Sequence, residues 1–360
     1  MDATNCTEGG QMANVKKGHE LAGIEVLRFL CAFGVLIWHY QHFFFAGEWN
    51  PDVGLALRPT LPLYRYLSFF YNNGSLAVPV FWTISGFIFY WHYGESIRSG
   101  AVGFRDFAVR RFSRLYPLHF VTLILVAAGQ YAYYRSHGAT FIYSWNKPIW
   151  FASHLLFASN WFARQPTTFN GPIWSVSIEI LIYLLFFLVA RSFRPTTWGA
   201  AAIAAIFAVC FNFLHSFIDP QVFACGMYFF AGGVTQRLAK RREAVPVAIC
   251  AAAITVICLV VFGATAALIL SAAVSAVVIF ARLDRGVRPF AFLGNATYAS
   301  YLLHFPLQLA IVGVVDAIGW KRDLFYSPFA FVGFLALVIG LSLVVHRHFE
   351  MPAQSALRNV

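Results

Sequence analysis

Charge is what this chain has least of: Asp, Glu, Lys and Arg make up 11% of its 360 residues, against about a quarter in an ordinary soluble domain. That scarcity excludes a free-standing water-soluble fold. No basic module stands apart either. The Lys and Arg residues are dispersed, so a formal net charge of +11 does not point to nucleic acid as a partner. The six cysteines, Cys6, Cys31, Cys210, Cys225, Cys250 and Cys258, fall mostly inside apolar segments without a CxxC pair or ligand spacing. They read as buried free thiols, and no metal site is expected. The first 20 residues are polar, with Glu8, Lys16, Lys17 and Glu20, and lack the apolar core of a secretory leader. No internal repeat is visible, which weakens a transporter built from inverted halves.

Apolar length is what the chain has in excess, with 59% hydrophobic residues. Windows long enough to cross a bilayer fall at residues 21–45, 76–93, 115–134, 172–190, 197–214, 222–236, 244–262, 265–281, 290–314 and 327–346. The expected fold class is an all-α polytopic membrane protein, a bundle of about ten transmembrane helices. One membrane domain over 21–352 lies between polar tails at 1–20 and 353–360. In that threading 19 of the 26 basic residues lie on the side of the termini, and this asymmetry predicts that both termini are cytoplasmic. The same residues would face an anionic leaflet, which accounts for the net charge. Two longer outer stretches, 46–75 and 135–171, would cover an outward opening. Ile149 to Trp161 in the second reads as an interfacial or re-entrant helix.

Ionisable groups inside spans are costly and normally face the bundle interior. The stretch from Ile24 to Tyr40 carries two, Arg28 and His39. Eleven residues turn a helix through three turns plus about 20°, so the two share a stripe, roughly 16 Å apart along the axis. Glu179 and His304 fall at a depth similar to His39 on their own spans, and Ser85 falls near mid-membrane. Each has a plainer alternative. Glu179 could hold a helix pair together, and His304 could be a packing residue before a helix break at Pro306. His42, one turn past His39 and nearer the interface, is expected to be solvated. Arg110, Arg111 and Arg114 cluster in an inner loop ahead of the third span, where Tyr116 and Pro117 suit the helix entry. There the guanidinium groups either hold phosphates or simply set topology.

In combination these residues resemble acyltransferase family 3, the bacterial inner-membrane enzymes that O-acylate surface polysaccharides and related glycans. Glu25 followed by Arg28 and His39 is similar to the family's first-helix signature. Phe81-Trp82-Thr83-Ile84-Ser85-Gly86-Phe87 resembles its Ser-Gly-Phe segment, and Arg110 to Pro117 its arginine-rich loop. Trp174 to Glu179 resembles its Trp-Ser-x-x-x-Glu entry, and Gly294 to His304, with Tyr298 and Tyr301, its late helix. Glu350-Met351-Pro352 resembles the Glu-x-Pro after the last span. The resemblance covers about 20–352. Trp82, Thr83, Thr297 and Ser300 depart from the usual residue types at their positions, which bears on fine specificity.

The resemblance implies a membrane-bound O-acyltransferase of the cell inner membrane. Acetyl-CoA, or another acyl-CoA, would be a donor substrate and not a resident cofactor. The acceptor would be a hydroxyl of an extracytoplasmic or lipid-linked glycan. Arg28, Arg110, Arg111 and Arg114 would hold the donor phosphates. His39 would act as general base or transient acyl carrier, oriented by Glu179. Ser85, Trp174, Tyr298, His304 and Glu25 are further site candidates. The resemblance is to a stand-alone membrane form without the hydrolase-like domain that some members carry outside the membrane, which would acylate its acceptor directly or pass the acyl group to a separate extracytoplasmic acyltransferase. The rival reading is a proton-coupled transporter or flippase for a glycan or lipid-linked sugar, with His39 and Glu179 as relay groups.

Overall fold

The computed structural model describes residues 21–214, 217–240, 265–283 and 286–359, with short pieces between 244 and 252. Regular structure among the described residues is helical, with two isolated bridges, Glu48 to Ile142 and Phe162 to Ile218. We number the α-helices α1 (Ala22–His39), α2 (Pro51–Leu57), α3 (Tyr64–Asn73), α4 (Ala77–His92), α5 (Gly94–Arg98), α6 (Phe104–His137), α7 (Pro148–Leu155) and α8 (Trp174–Ser192). They continue with α9 (Thr197–Phe213), α10 (Pro220–Leu238), α11 (Ala266–Phe280), α12 (Thr297–Ala317), α13 (Pro328–Val345) and α14 (Met351–Arg358).

Six helical stretches among the described residues are long and apolar enough to cross a membrane: Ala22–Phe44, Tyr64–His92, Phe104–His137, Gly171–Ser192, Arg288–Ala317 and Pro328–Arg358. Ten were expected. The windows at 197–214 and 265–281 form the shorter apolar helices α9 and α11. The window at 222–236 forms α10, whose ends are diluted by Gln221, Thr235, Gln236 and Arg237. The window at 244–262 lies largely outside the described residues. Two boundaries also shift. The stretch 64–75, expected as loop, is helical and runs into α4. In the second outer stretch a helix does form, but it stops at Leu155.

The third span begins at Phe104, so the three arginines lie in a helix and not in a loop, and Pro117 sits well inside it. A proline costs a helix one hydrogen bond. Here the first turns are held by packing: Phe107 is buried and lies edge-on to Phe89, 5.8 Å between ring centroids. Pro306, the other expected break, is also inside a continuous helix, α12. It lacks the N–H that would bond the Leu302 carbonyl one turn back, and Asn170 Nδ2 donates to that carbonyl instead, at 3.1 Å. The orphaned acceptor is satisfied from outside, so the helix does not end.

Contacts at the helix termini fix the directions. Gly23, at the start of α1, donates its N–H to the Leu283 carbonyl just past α11. Arg111 on α6 donates to Tyr93 Oη just past α4, and Arg237 on α10 to the Pro195 carbonyl just past α8. Helices α1, α6 and α12 therefore run away from one end of the bundle, here the Arg28 end, and α4, α8, α10, α11 and α13 run back from the His39 end. Helices α4 and α10 run in the same direction, nearly backbone to backbone. A Cβ on Gly86 would lie 1.7 Å from the Phe229 carbonyl oxygen, and one on Gly232 would lie 2.1 Å from that of Thr83. With lipid outside, close approach through small residues is what drives helices together.

Candidate functional site

Arg28 is held by its own helix: its Nη1 donates to both carboxylate oxygens of Glu25, at 2.8 and 3.1 Å. The i, i+3 spacing brings the pair together. Gly294 lies so close to Glu25 that a Cβ there would fall 2.2 Å from its Oε2. Glu25, Arg28, Arg114, Tyr298, His346 and Glu350 line a cavity of about 170 Å³ at this end of the bundle.

Arg28, Arg114 and Tyr298 are shared with a second cavity, of about 120 Å³, to which Ser85, Arg111 and Glu179 are added. Arg111 donates to Tyr93 Oη at 2.7 Å and lies over the Phe89 ring, 4.9 Å from its centroid. Tyr298 Oη donates to the Leu115 carbonyl. Arg28 and Arg111 act on Glu179 by charge, and the Ser85 and Tyr183 hydroxyls neighbour it, while its Oε1 has no hydrogen-bond partner among the described residues. Three guanidinium groups against Glu179 and the Glu25 that pairs Arg28 leave this end with a net positive charge, suited to an anion such as phosphate. Arg110 is not part of the cavity. It stands about 100° around the helix from Arg111, and although only about 40° from Arg114 its side chain is exposed, lining a separate pocket with Arg105, Asp106 and Arg358.

Trp82 and Tyr301 line both this second cavity and a third, of about 510 Å³, which also contains His39 and Trp174. Ser175 ties the two neck residues together: its carbonyl accepts from Trp82 Nε1 at 3.4 Å and its hydroxyl bonds Tyr301 Oη at 2.8 Å. The three cavities thus form a sequence of shared walls from Arg28 to His39, along the stripe that the eleven-residue spacing places on α1.

His39 does not stand alone. Its ring centroid is 4.7 Å from that of His304 and 4.9 Å from that of His42. Hydrogen-bond partners assign all three tautomers. His39 Nδ1 lies 2.9 Å from the Val35 carbonyl, and His304 Nδ1 lies 3.1 Å from the Ser300 carbonyl. A carbonyl can only accept, so each Nδ1 carries the proton and each Nε2 keeps its lone pair. Gln308 decides the third. Its Nε2 donates to the His39 backbone carbonyl at 2.9 Å, which turns its Oε1 toward His42 Nδ1 at 3.3 Å. His304 Nε2 is buried and without a partner among the described residues. No group of three or more His, Cys, Asp or Glu residues among them is arranged to hold a metal ion.

Three sequence expectations are corrected by this geometry. Glu179 does not stand behind His39: it lines the arginine cavity, and the His39 Nδ1 proton goes to Val35. His304 does meet His39, but Glu179 lies past the Ser175 neck on the arginine side, about a turn of α8 nearer the Arg28 end than expected. His42 is 2% exposed and not solvated. The chain tightens into a 3-10 turn at Tyr40–Phe44, and in that geometry residues three apart eclipse, which brings His42 inward beside His39. Arg110 parts from Arg111 and Arg114. Gln308 was missed altogether, although its spacing of four from His304 puts both on one face of α12. Asn170 was missed because its partner carbonyl is orphaned by a proline far away in sequence.

The family model described as "Acyltransferase domain" matches residues 21–347. Acyltransferase MdmB of Streptomyces mycarofaciens is 31% identical over 213 residues, 54% of this chain and 47% of that protein, so the match spans about half of that relative's length. No solved structure matches the chain significantly. A match over nearly the whole chain, together with six helices long and apolar enough to cross a membrane, makes this protein a multi-pass membrane member of the acyltransferase 3 family.

Proposed function

We propose that the protein is a membrane-bound O-acyltransferase that moves an acyl group, normally acetyl, from acyl-CoA to a hydroxyl of an extracytoplasmic or lipid-linked glycan. The observation that carries this reading is the sequence of shared cavities, with arginines at one end and the bare Nε2 of His39 at the other. Phosphates of the donor meet Arg28, Arg111 and Arg114. The pantetheine arm is narrow and flexible, and it passes Trp82 and Tyr301 to present the thioester beside His39. Glu179 offsets part of the arginine charge and keeps those side chains in place.

Two routes use the same nitrogen. As general base, His39 Nε2 takes the acceptor O–H proton while the oxygen attacks the thioester carbonyl. The C–S bond then breaks, and the proton is returned to the departing thiolate. As nucleophile, His39 Nε2 forms the bond to the acyl carbon first and expels the thiolate; the acceptor oxygen then attacks, the N–C bond breaks, and the hydroxyl proton leaves through the freed imidazole to the thiolate. In either route, holding donor and hydroxyl in one cavity adds effective molarity, and a positioned base adds about 10² to 10⁴-fold.

The Arg28 end is assigned to the cytoplasm and the membrane to the cell inner membrane, with ten crossings and both termini inside. This is supported by the 19 basic residues on that side. It is also supported by α10 ending beside Pro195 at the Arg28 end while α11 starts, at Ala266, beside Tyr228 at the other. The test is release of coenzyme A thiol by purified protein in lipid, supplied with acetyl-CoA and a glycan extract, compared with His39→Ala. Release by the native protein and none by a folded, donor-binding His39→Ala is expected. No release by either protein, with acceptor-rich extract present, would return the proton-coupled transporter to the front.

A further inference from the structure

The second and third cavities divide the chemistry between them. The one lined by Arg28, Arg111, Arg114 and Glu179 is charged. The one that holds His39 is not. Among the described residues that line it, no side chain is ionised at neutral pH apart from any charge on His39 itself. It is also too large for an acetyl group, at about 510 Å³, and so has room for a ring-sized partner of the reaction.

Its walls combine two features. Trp38, Trp82, Trp174 and Tyr228 give broad aromatic faces. Trp38 and Trp174 also offer indole N–H groups, Ser75 a hydroxyl and Gln221 an amide, and none of these four side chains is hydrogen-bonded among the described residues. Unused neutral donors and acceptors around aromatic planes suit a ring with hydroxyls on its edge and C–H groups on its face. They do not suit a carboxylate or phosphate, which would lie against apolar walls without a counter-charge, although the cavity is open where Ser75 and Gln221 are exposed.

We infer that this cavity is the acceptor subsite, that it takes an uncharged hydroxylated ring, and that Trp174 and Gln221 determine its affinity. The inference rests on the acyl-transfer reading for the direction of the reaction and not for the binding itself, so binding is measured first. Full-length protein in nanodiscs, without donor, is titrated by calorimetry with a panel of neutral methyl hexosides and disaccharides and with the matching uronic acids. Binding of at least one neutral sugar, and about a hundredfold weaker binding of its uronic counterpart, is expected from the few kcal/mol that an unpaired charge costs in the membrane.

Gln221→Ala and Trp174→Phe should then weaken the sugar, or raise its KM in thiol release, while the KM for acetyl-CoA stays unchanged. That unchanged constant also reports that both variants are folded. Equal binding of uronic and neutral sugars overturns the inference, as does no binding by any neutral sugar. So does displacement of the effect onto the donor, whether as a raised KM for acetyl-CoA or as preferential use of octanoyl-CoA that Trp174→Phe abolishes, since the cavity would then house an acyl chain. Sugar binding with no thiol release from any acceptor leaves the subsite standing and removes only the transferase reading.

Discussion

Replacing Asn170 by Ala removes one hydrogen bond, and the structure makes that bond unusually consequential. The Leu302 carbonyl has lost its helical partner to Pro306, and Asn170 Nδ2 supplies the replacement at 3.1 Å with both residues fully buried. A buried carbonyl left without a donor costs about 1–3 kcal/mol, a large share of a net stability of about 5–15 kcal/mol. Pro306→Ala restores an N–H one turn below Leu302. The Asn170→Ala cost should therefore fall in the Pro306→Ala background, with a coupling of about 1–2 kcal/mol.

The assay is a double-mutant cycle on unfolding of the purified protein in mixed micelles, followed by tryptophan fluorescence. Thiol release is followed in parallel, because His304 and Gln308 sit on the turns flanking the break and both reach His39 or its backbone. Asn170→Ala should lower turnover, and Pro306→Ala should partly restore it. Equal Asn170→Ala costs in the two backgrounds, within about 0.5 kcal/mol, would refute the account of how α12 survives its proline.

Two further outcomes follow from the geometry. Arg114→Ala should raise the KM for acyl-CoA by about 10- to 150-fold, the worth of one charge-assisted hydrogen bond to phosphate, whereas Arg110→Ala, on the exposed face of the same helix, should change it by less than about threefold; steady-state kinetics at fixed ionic strength separates them. Gly86→Ala forces a Cβ to within 1.7 Å of the Phe229 carbonyl and should cost about 3 kcal/mol or more by parting α4 from α10. By contrast Gly313→Ala, with nothing within 4 Å of its Cβ, should stabilise α12 by about 0.5–1 kcal/mol; the yield of monodisperse protein and its unfolding midpoint report both.

Much of the fold was legible because a bilayer imposes a simple demand: a helix must be apolar over about 20 residues to span it. The six stretches that meet that demand were readable as runs of Leu, Ile, Val, Phe and Ala. Less legible were the boundaries, since Phe104 to Tyr116 is polar enough to read as loop yet is helical through packing of Phe107 on Phe89. The candidate site was readable where it depends on one helix. The Arg28 and His39 stripe follows from helical spacing alone, whereas the parting of Arg110 from Arg111 and Arg114 does not, since spacing puts Arg110 about 40° from Arg114. Gln308 and His42 follow the same spacing rules, but only once the 3-10 turn after His39 and the unbroken course of α12 are known.

The sequence by itself determined that this chain belongs in a membrane and that Arg28 and His39 share one stripe of their helix. Those properties depend on rise and turn per residue and on the cost of charge in hydrocarbon. Only the tertiary structure decided which stripes meet. It set His304, His42 and Gln308 against His39, placed Glu179 among the arginines and sent Arg110 to the surface. The physical reason is that lipid offers apolar helices no preference among apolar neighbours. The lateral order is set instead by where glycines let backbones touch, as Gly86 and Gly232 do, and by where a buried polar group such as Asn170 finds its single partner.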